Sequence, residues 1–160
     1  MSNEAFPVAC VVLGGDDPSA LAAAVQRATE AGAAPVVVPL PPGRERPPGA
    51  QVVTTGAGVT MIGALRRAMA ALANTPAMGL LLWEAERPGS ARAARTVLEA
   101  ARRTGAPIVI AEDRGRALTP TWYARDTWLE LMTVGEQGLD AVHERRSAAI
   151  ERVEVRDALA

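Results

Sequence analysis

Pairs of acidic residues follow three of the apolar runs in this 160-residue sequence. The pairs are Asp16 and Asp17, Glu84 and Glu86, and Glu112 and Asp113. If these runs are parallel strands, their carboxyl ends lie at the edge of the sheet where α/β proteins bind ligands. Carboxylates gathered at that edge could hold a divalent cation such as Mg²⁺ through oxygen ligands, or act as acid and base on a small molecule.

The same acids also have a structural interpretation, which the sequence favours. Acidic side chains are common at helix amino termini, where they cap unpaired backbone N–H groups. Asp17 directly precedes Pro18, a residue typical of the first helical position. Two hypotheses therefore stand side by side. Asp16, Asp17, Glu84 and Glu86 are either catalytic residues, with Glu86 also a metal ligand, or caps and solvated loop acids.

Gly14 and Gly15 begin the loop between the first apolar run and the first predicted helix. A glycine turn that leads into a helix exposes backbone N–H groups, so these glycines, together with Arg87, are candidate ligand-binding residues. The loop matches neither G-x-x-x-x-G-K-[ST] nor G-x-G-x-x-G. Asp16 and Asp17 also place negative charge where a phosphate would bind. Without a metal, the loop is therefore poorly suited to an anion.

The sequence contains no lysine, and all 17 of its Lys and Arg positions are arginine. Schiff-base chemistry, a P-loop lysine and a lysine base are therefore excluded. The arginines are interspersed with acids and the net charge is −1, which argues against binding to nucleic acid or a membrane surface. Cys10 is the single cysteine, and the amino terminus lacks a signal-peptide pattern, so we expect a cytoplasmic protein. The composition is typical of a GC-rich bacterial genome.

The single histidine and three of the five aromatic residues lie in the last third of the sequence. His143 falls in a charged helical segment, where we expect a solvated position rather than a catalytic one. Trp122, Tyr123 and Trp128 are expected to cover the far end of the sheet. The alternative is that they form an aromatic wall of a pocket or a patch for a partner.

Short apolar runs alternate with stretches of helical periodicity, which predicts a three-layer α/β/α sandwich with a mostly parallel sheet. We predict strands at Pro7–Leu13, Pro35–Leu40, Gln51–Thr54, Met78–Trp83, Pro107–Ala111 and Ile150–Val155. The last strand is expected at an edge. We predict helices after Asp17, at Met61–Leu72, at Ser90–Thr104, near Ala124–Leu131 and near Glu136–Arg146. A single domain, residues 1–160, accounts for the whole chain.

The order of these segments resembles that of the MobA-like nucleotidyltransferases, the molybdenum-cofactor cytidylyl- and guanylyltransferases with a GT-A-like, Rossmann-like fold. Met61–Leu72 is similar to the family's Met-Ser-Ser-Ser-Leu-Arg helix, and Gly79–Pro88 to its strand ending in Gly-Asp-Gln-Pro. Gly105–Val155 is similar to the later segments, from the Gly-Ala-Pro-Ile-Val strand to the final Val-x-Val strand. The resemblance spans most of the chain and implies the nucleotidyltransferase fold.

The sequence departs from this family at the residues that carry the transfer chemistry. The family's long Gly-rich loop, with a Lys that binds the triphosphate, is reduced to a few residues after Gly14. Its metal-binding Asp falls on Glu86, and the His of its His-Pro segment falls on Thr119. Its three serines fall on Ile62, Gly63 and Ala64. Its closing Asp-x-Asp-Thr-Pro segment has no counterpart beyond Asp157. Loss of one charge-stabilising group typically lowers the rate by about 10²–10³.

We therefore expect a degenerate MobA-like protein that has lost nucleotidyl transfer and acts as a binding or accessory protein. Its partner would be a small molecule or a protein, with homo-oligomer contacts as a further expectation. Two alternatives remain open. One is a small-molecule enzyme that uses the acidic rim of Asp16, Asp17, Glu84 and Glu86, with or without Mg²⁺. The other is a minimal nucleotidyltransferase that acts on a molybdopterin-like acceptor.

Overall fold

The computed structural model describes residues 6–14, 16–87, 89–133, 135 and 138–156, and within them seven strands form one sheet. The strands are β1 (Val8–Leu13), β2 (Val36–Leu40), β3 (Gln51–Thr54), β4 (Gly79–Glu84), β5 (Ile108–Asp113), β6 (Arg116–Ala124) and β7 (Ile150–Glu154). Their spatial order is β3-β2-β1-β4-β6-β5-β7. β6 is antiparallel to both of its neighbours, and the other adjacent strands are parallel. The predicted α/β fold with a mostly parallel sheet is confirmed, and β7 lies at an edge as expected.

Side-chain caps define where the longer helices begin. The helices are α1 (Pro18–Glu30), α2 (Met61–Leu72), α3 (Ala91–Thr104), α4 (Trp128–Thr133) and α5 (Leu139–Arg145). Asp17, Thr60 and Ser90 each accept a backbone N–H in the first turn of α1, α2 and α3. The capping role predicted for Asp17 is therefore present. Positions 136 and 137, where the last predicted helix starts, lie outside the described residues.

The helices cover both faces of the sheet and produce the predicted three layers. Cys10 and Val12 of β1 point to the face covered by α1 and α3, while Val11 points to the face covered by α2, α4 and α5. A central parallel strand is buried on both sides, which explains why all the residues of β1 are apolar. Burial raises the pKa of the Cys10 thiol, which keeps it protonated and unreactive.

β6 was not predicted, and it changes the order of the strands. Arg114 and Gly115 both have positive φ, which is typical of a two-residue hairpin turn, and this turn sends the chain back from β5 as an antiparallel strand. Pro120 concealed the strand, because proline cannot donate to a sheet ladder. A register shift between Ile110 and Glu112 of β5 lies opposite this part of β6. The regular pairing of the two strands is interrupted there.

The insertion of β6 also corrects the prediction for two of the aromatic residues. Trp122 and Tyr123 belong to β6, which lies between β4 and β5, and 2% and 1% of their surface is exposed. They therefore do not cover the far end of the sheet. Trp128 begins α4 and is also buried.

In the described part of the chain, no helix combines the length and the apolar character needed to cross a lipid bilayer.

Candidate functional site

Two adjoining cavities, each of about 400 Å³, lie at the carboxyl ends of β1 and β4 beside the amino end of α2. Cavity A is lined by Leu13, Gly14, Pro39, Pro41, Thr55, Val59, Thr60, Met61, Ala64, Glu84, Glu86 and Arg87. Cavity B is lined by Thr60, Met61, Ile62, Leu82, Glu84, Arg87, Thr121, Tyr123, Gly138, Leu139, Asp140 and His143. The two share Thr60, Met61, Glu84 and Arg87, so together they form one groove. This is the edge at which α/β folds bind ligands.

An ion pair stands where the two cavities meet. Glu84 is the last residue of β4, and its Oε2 lies 2.6 Å from Nη1 of Arg87 in the turn that follows. The buried hydroxyl of Thr119 on β6 accepts the backbone N–H of Glu84 at 2.9 Å and lies 3.4 Å from the carbonyl oxygen of Leu82. The position where the resemblance placed a histidine therefore holds a residue that fixes the end of β4. Glu86 lies in the same turn and is exposed at cavity A.

The structure separates Asp16 and Asp17 from this groove. Asp16 lies 2.6 Å from Nη2 of Arg44, its side chain is 89% exposed, and it lines a different cavity of about 40 Å³ beside α1. Asp17 caps α1, as described above. Neither residue lines cavity A or B, so their catalytic assignment receives no geometric support and stays a prediction.

Of the two candidate ligand-binding glycines, the structure describes Gly14. Gly14 lines cavity A, and a Cβ atom at this position would lie 2.7 Å from Cδ1 of Leu21, so a side chain would disturb the packing of α1. Gly15 lies outside the described residues. The ligand-binding role predicted for Gly14 and Arg87 is compatible with where these residues lie.

The third acidic pair lies on the far side of β6, so the expectation that three pairs converge is wrong. Glu112 lies 2.9 Å from Nη1 of Arg152 on β7, and Glu154 accepts the backbone N–H of Arg114 at 3.1 Å. β5 would adjoin β4 if the chain contained only parallel strands. β6 occupies that place and moves Glu112 and Asp113 one strand further from Glu84.

The described residues of the groove offer few ligands to a Mg²⁺ ion. Among the described residues, no three His, Cys, Asp or Glu side chains are grouped to hold a metal ion. Glu84 is neutralised by Arg87, whose guanidinium would repel a cation brought to the same carboxylate. Because Glu84 is paired with Arg87, Glu86 would have to bind a cation without help from the carboxylate of Glu84. Its role as a metal ligand stays a prediction.

Cavity B contains a pair of residues whose connection the sequence did not reveal. The hydroxyl of Tyr123 on β6 lies 2.7 Å from Nε2 of His143 on α5. Burial raises the pKa of Tyr123 and lowers the pKa of His143, so both groups are held in their neutral forms. Which of the two side chains donates in this contact depends on the tautomer of the imidazole.

The prediction of a solvated His143 is wrong, because the side chain is half-buried. Helical spacing carries the signal that could have found it. Leu139, Val142 and His143 fall at positions i, i+3 and i+4, which form one face of a helix, and in the structure Val142 is fully buried.

The comparisons with known proteins agree with this fold. A family model described as "MobA-like NTP transferase domain" matches residues 9–151. Rv0371c from Mycobacterium tuberculosis H37Rv superposes with a TM-score of 0.78 at 17% identity, over 95% of this chain and 89% of that one. A structure of the same protein in complex with manganese gives a TM-score of 0.76 at 17% identity, over 94% and 89%.

A third similar structure is the 2-C-methyl-D-erythritol 4-phosphate cytidylyltransferase from Thermus thermophilus. Its TM-score is 0.64 at 19% identity, over 95% of this chain and 90% of that one. At such identities the likeness establishes the fold. No curated protein has a sequence that matches this chain.

Proposed function

The chain belongs to the MobA-like NTP transferase family, and from that premise we propose that it uses the nucleotidyltransferase fold as a small-molecule-binding or accessory protein, without transferring nucleotidyl groups. The groove made by cavities A and B is the binding site in this proposal. The observation that carries it is the charge of that groove.

Cationic groups are scarce in the groove, whereas nucleotidyl transfer depends on them. Arg87 is the one arginine among the described lining residues, and its guanidinium is already bound to Glu84. Glu86 and Asp140 add negative charge at the two cavities. A nucleoside triphosphate would bring its phosphates toward these carboxylates. The electrostatic balance therefore opposes the ligand that transfer requires.

Among the described residues, the groove also offers few free carboxylates to a metal ion that could reverse this balance. Phosphoryl-transfer enzymes commonly use a divalent cation to bridge and neutralise phosphate oxygens. Glu84 is engaged by Arg87, and Asp16 and Asp17 lie outside the groove. Each missing stabilising group typically costs about 10²–10³ in rate, and such losses combine without being strictly additive.

The walls of the groove favour a small ligand of low net charge. In cavity A, most of the lining is apolar, from Leu13, Pro39 and Met61 among others, and it can cover a flat or aliphatic group. Cavity B supplies hydroxyl, carboxylate and imidazole groups for hydrogen bonds, from Thr121, Asp140 and His143. A protein partner and a homo-oligomer remain part of the proposal as further ways in which such a domain could act.

Thermal unfolding with nucleotides tests this proposal. We expect neither CTP nor GTP, with Mg²⁺ present, to raise the Tm of the wild-type protein. Glu86→Gln removes one negative charge from cavity A and should strengthen any residual nucleotide binding at low ionic strength. Glu99→Gln is the matched control, because it makes the same change on an exposed position of α3 outside the groove.

The other outcomes decide between the remaining hypotheses. A rise in Tm of several degrees with CTP or GTP would contradict the proposal and favour a minimal nucleotidyltransferase. A rise with Mg²⁺ alone that Glu86→Ala removes would favour the enzyme with an acidic rim.

A further inference from the structure

Thr55 directly follows β3 and borders cavity A, and its hydroxyl is a buried polar group without a partner. The residue is 5% exposed, and its Oγ1 has no hydrogen-bond partner among the described residues. Buried polar groups in folded proteins are nearly always hydrogen-bonded, because burial without a partner costs free energy. The hydroxyl of Thr55 is therefore a group to which a molecule in cavity A could supply the missing hydrogen bond.

The wall of cavity A around Thr55 offers few other donors. The chain at the ends of β2 and β3 contributes Pro39, Pro41 and Thr55 to the lining. Proline has no backbone N–H, and the backbone N–H of Thr55 already donates to the carbonyl of Leu40 at 2.9 Å. The hydroxyl of Thr55 is therefore the one donor that these three residues can offer to a ligand.

The hydroxyl can reach a ligand by a change of side-chain rotamer. Rotation about the Cα–Cβ bond of threonine moves the hydroxyl between staggered positions. Because Oγ1 of Thr55 has no partner in the part of the chain that the structure describes, this rotation breaks no hydrogen bond there. A hydrogen bond with a ligand would therefore form without the loss of one within the described fold.

Apolar side chains form much of the remaining lining of cavity A. Leu13 and Ala64 contribute to it, and Val59 and Met61 contribute to it while they are exposed. A ligand that covers Val59 and Met61 removes their apolar surface from water, which favours binding. The volume of about 400 Å³ lies within the range of small-molecule sites, about 300–1,000 Å³.

We propose that cavity A binds an uncharged small molecule with an apolar body and one acceptor oxygen, a hydroxyl or a carbonyl, that accepts a hydrogen bond from Thr55. This inference rests on the proposed function, since it names the ligand class of the same groove. The apolar body of the ligand lies against the prolines and beneath Val59 and Met61.

The charges at cavity A are the reason why this ligand is uncharged. Glu84 and Arg87 are paired with each other, and Glu86 is exposed. A charged group placed beside Thr55 would lose its hydration and gain one hydroxyl as a partner, which is an unfavourable exchange. An uncharged oxygen loses much less and gains the same hydrogen bond.

Binding of cyclohexanol tests the proposal, together with two charged probes that share its ring. NMR spectra of the isotope-labelled wild-type protein at pH 7 would follow titrations with cyclohexanol, with cyclohexylamine, which is then a cation, and with cyclohexanecarboxylate, an anion. We expect cyclohexanol to shift the amide signals of Thr55, Val59 and Met61. The signals of Thr121 and Asp140 in cavity B should not move. Both charged probes should bind more weakly than cyclohexanol.

Thr55→Val removes the hydroxyl and keeps the shape of the side chain. We expect this variant to bind cyclohexanol about threefold to tenfold more weakly than the wild type, the effect of one hydrogen bond. Without the probe, its Tm should equal or exceed that of the wild type, because the hydroxyl has no partner among the described residues. Thr54→Val is the matched control, since it makes the same change on the exposed preceding residue, which lines neither cavity.

The proposal is wrong if cyclohexanol leaves the signals of cavity A unchanged, if a charged probe binds more tightly, or if Thr55→Val binds cyclohexanol as well as the wild type does. A lower Tm of Thr55→Val without the probe, or its failure to fold, would show that the hydroxyl already serves the fold and would also overturn the proposal. Binding of CTP or GTP with Mg²⁺ contradicts the proposed function, whatever cyclohexanol does. If neither the nucleotides nor cyclohexanol binds, the ligand class alone is wrong.

Discussion

The carboxylate of Glu84 and the guanidinium of Arg87 lie 2.6 Å apart at the centre of the groove, where cavities A and B meet. This contact uses the arginine that would otherwise attract a phosphate and the carboxylate that would otherwise bind a cation. Both side chains are partly exposed, so the pair adds little to stability, about 0–1 kcal/mol. Its main consequence is for what the groove can bind.

Removal of Arg87 should make the groove attractive to divalent cations. In Arg87→Ala, Glu84 and Glu86 become two uncompensated carboxylates in the same turn, and their mutual repulsion is relieved by a bound cation. We expect Mg²⁺ or Mn²⁺ to raise the Tm of this variant by about 1–3 °C more than that of the wild type. Arg95→Ala, on an exposed position of α3, is the control. Equal responses of the two variants would show that Arg87 does not govern cation binding.

Gly89 should tolerate no side chain, because it contacts Thr119 directly. A Cβ atom there would lie 2.3 Å from the carbonyl oxygen of Thr119, the residue that fixes the end of β4. We expect Gly89→Ala to lower the free energy of unfolding by about 1–3 kcal/mol in a urea titration. Gly56→Ala is the matched control, because nothing lies within 4 Å of its added Cβ. A Gly89→Ala variant as stable as Gly56→Ala would contradict the packing described here.

Glu130 should contribute to stability at neutral pH and lose that contribution in acid. A hydrogen bond from Arg146 lowers the pKa of Glu130 in the folded protein. A carboxyl group with a lowered folded pKa stabilises the fold above its unfolded pKa, and this stabilisation is lost as the pH falls through the folded pKa. We expect Glu130→Gln to be less stable than the wild type at pH 7 and equal to it at low pH. Glu144→Gln, an exposed position of α5, should show no such difference at either pH.

Much of the fold follows from local patterns in the sequence. Uninterrupted apolar runs identified β1 and β4, because strands buried on both faces need no polar positions. Asp17 and Pro18 marked the start of α1 through the chemistry of a helix terminus. These signals are local, so each could be recognised without knowing which segments are neighbours.

The site was harder to predict because it depends on distant contacts. Pro120 hid β6, because proline within a run argues against a strand. Without β6, the acids after β5 were placed next to those after β4. The Tyr123–His143 bond joins residues 20 positions apart in two different elements, and no local spacing encodes it. Arg87 was expected to bind a ligand, whereas its engagement by Glu84 became visible only in the folded chain.

Release of pyrophosphate is the most direct measurement of whether this protein transfers nucleotidyl groups. The wild-type protein would be incubated with CTP or GTP, with Mg²⁺ or Mn²⁺, and with molybdopterin as the acceptor, and phosphorus NMR would follow the products. An active cytidylyltransferase with its own substrates serves as the positive control. We predict no pyrophosphate above the level of a reaction without protein. Pyrophosphate formed together with a nucleotidylated acceptor over repeated turnovers would contradict the proposed loss of transfer.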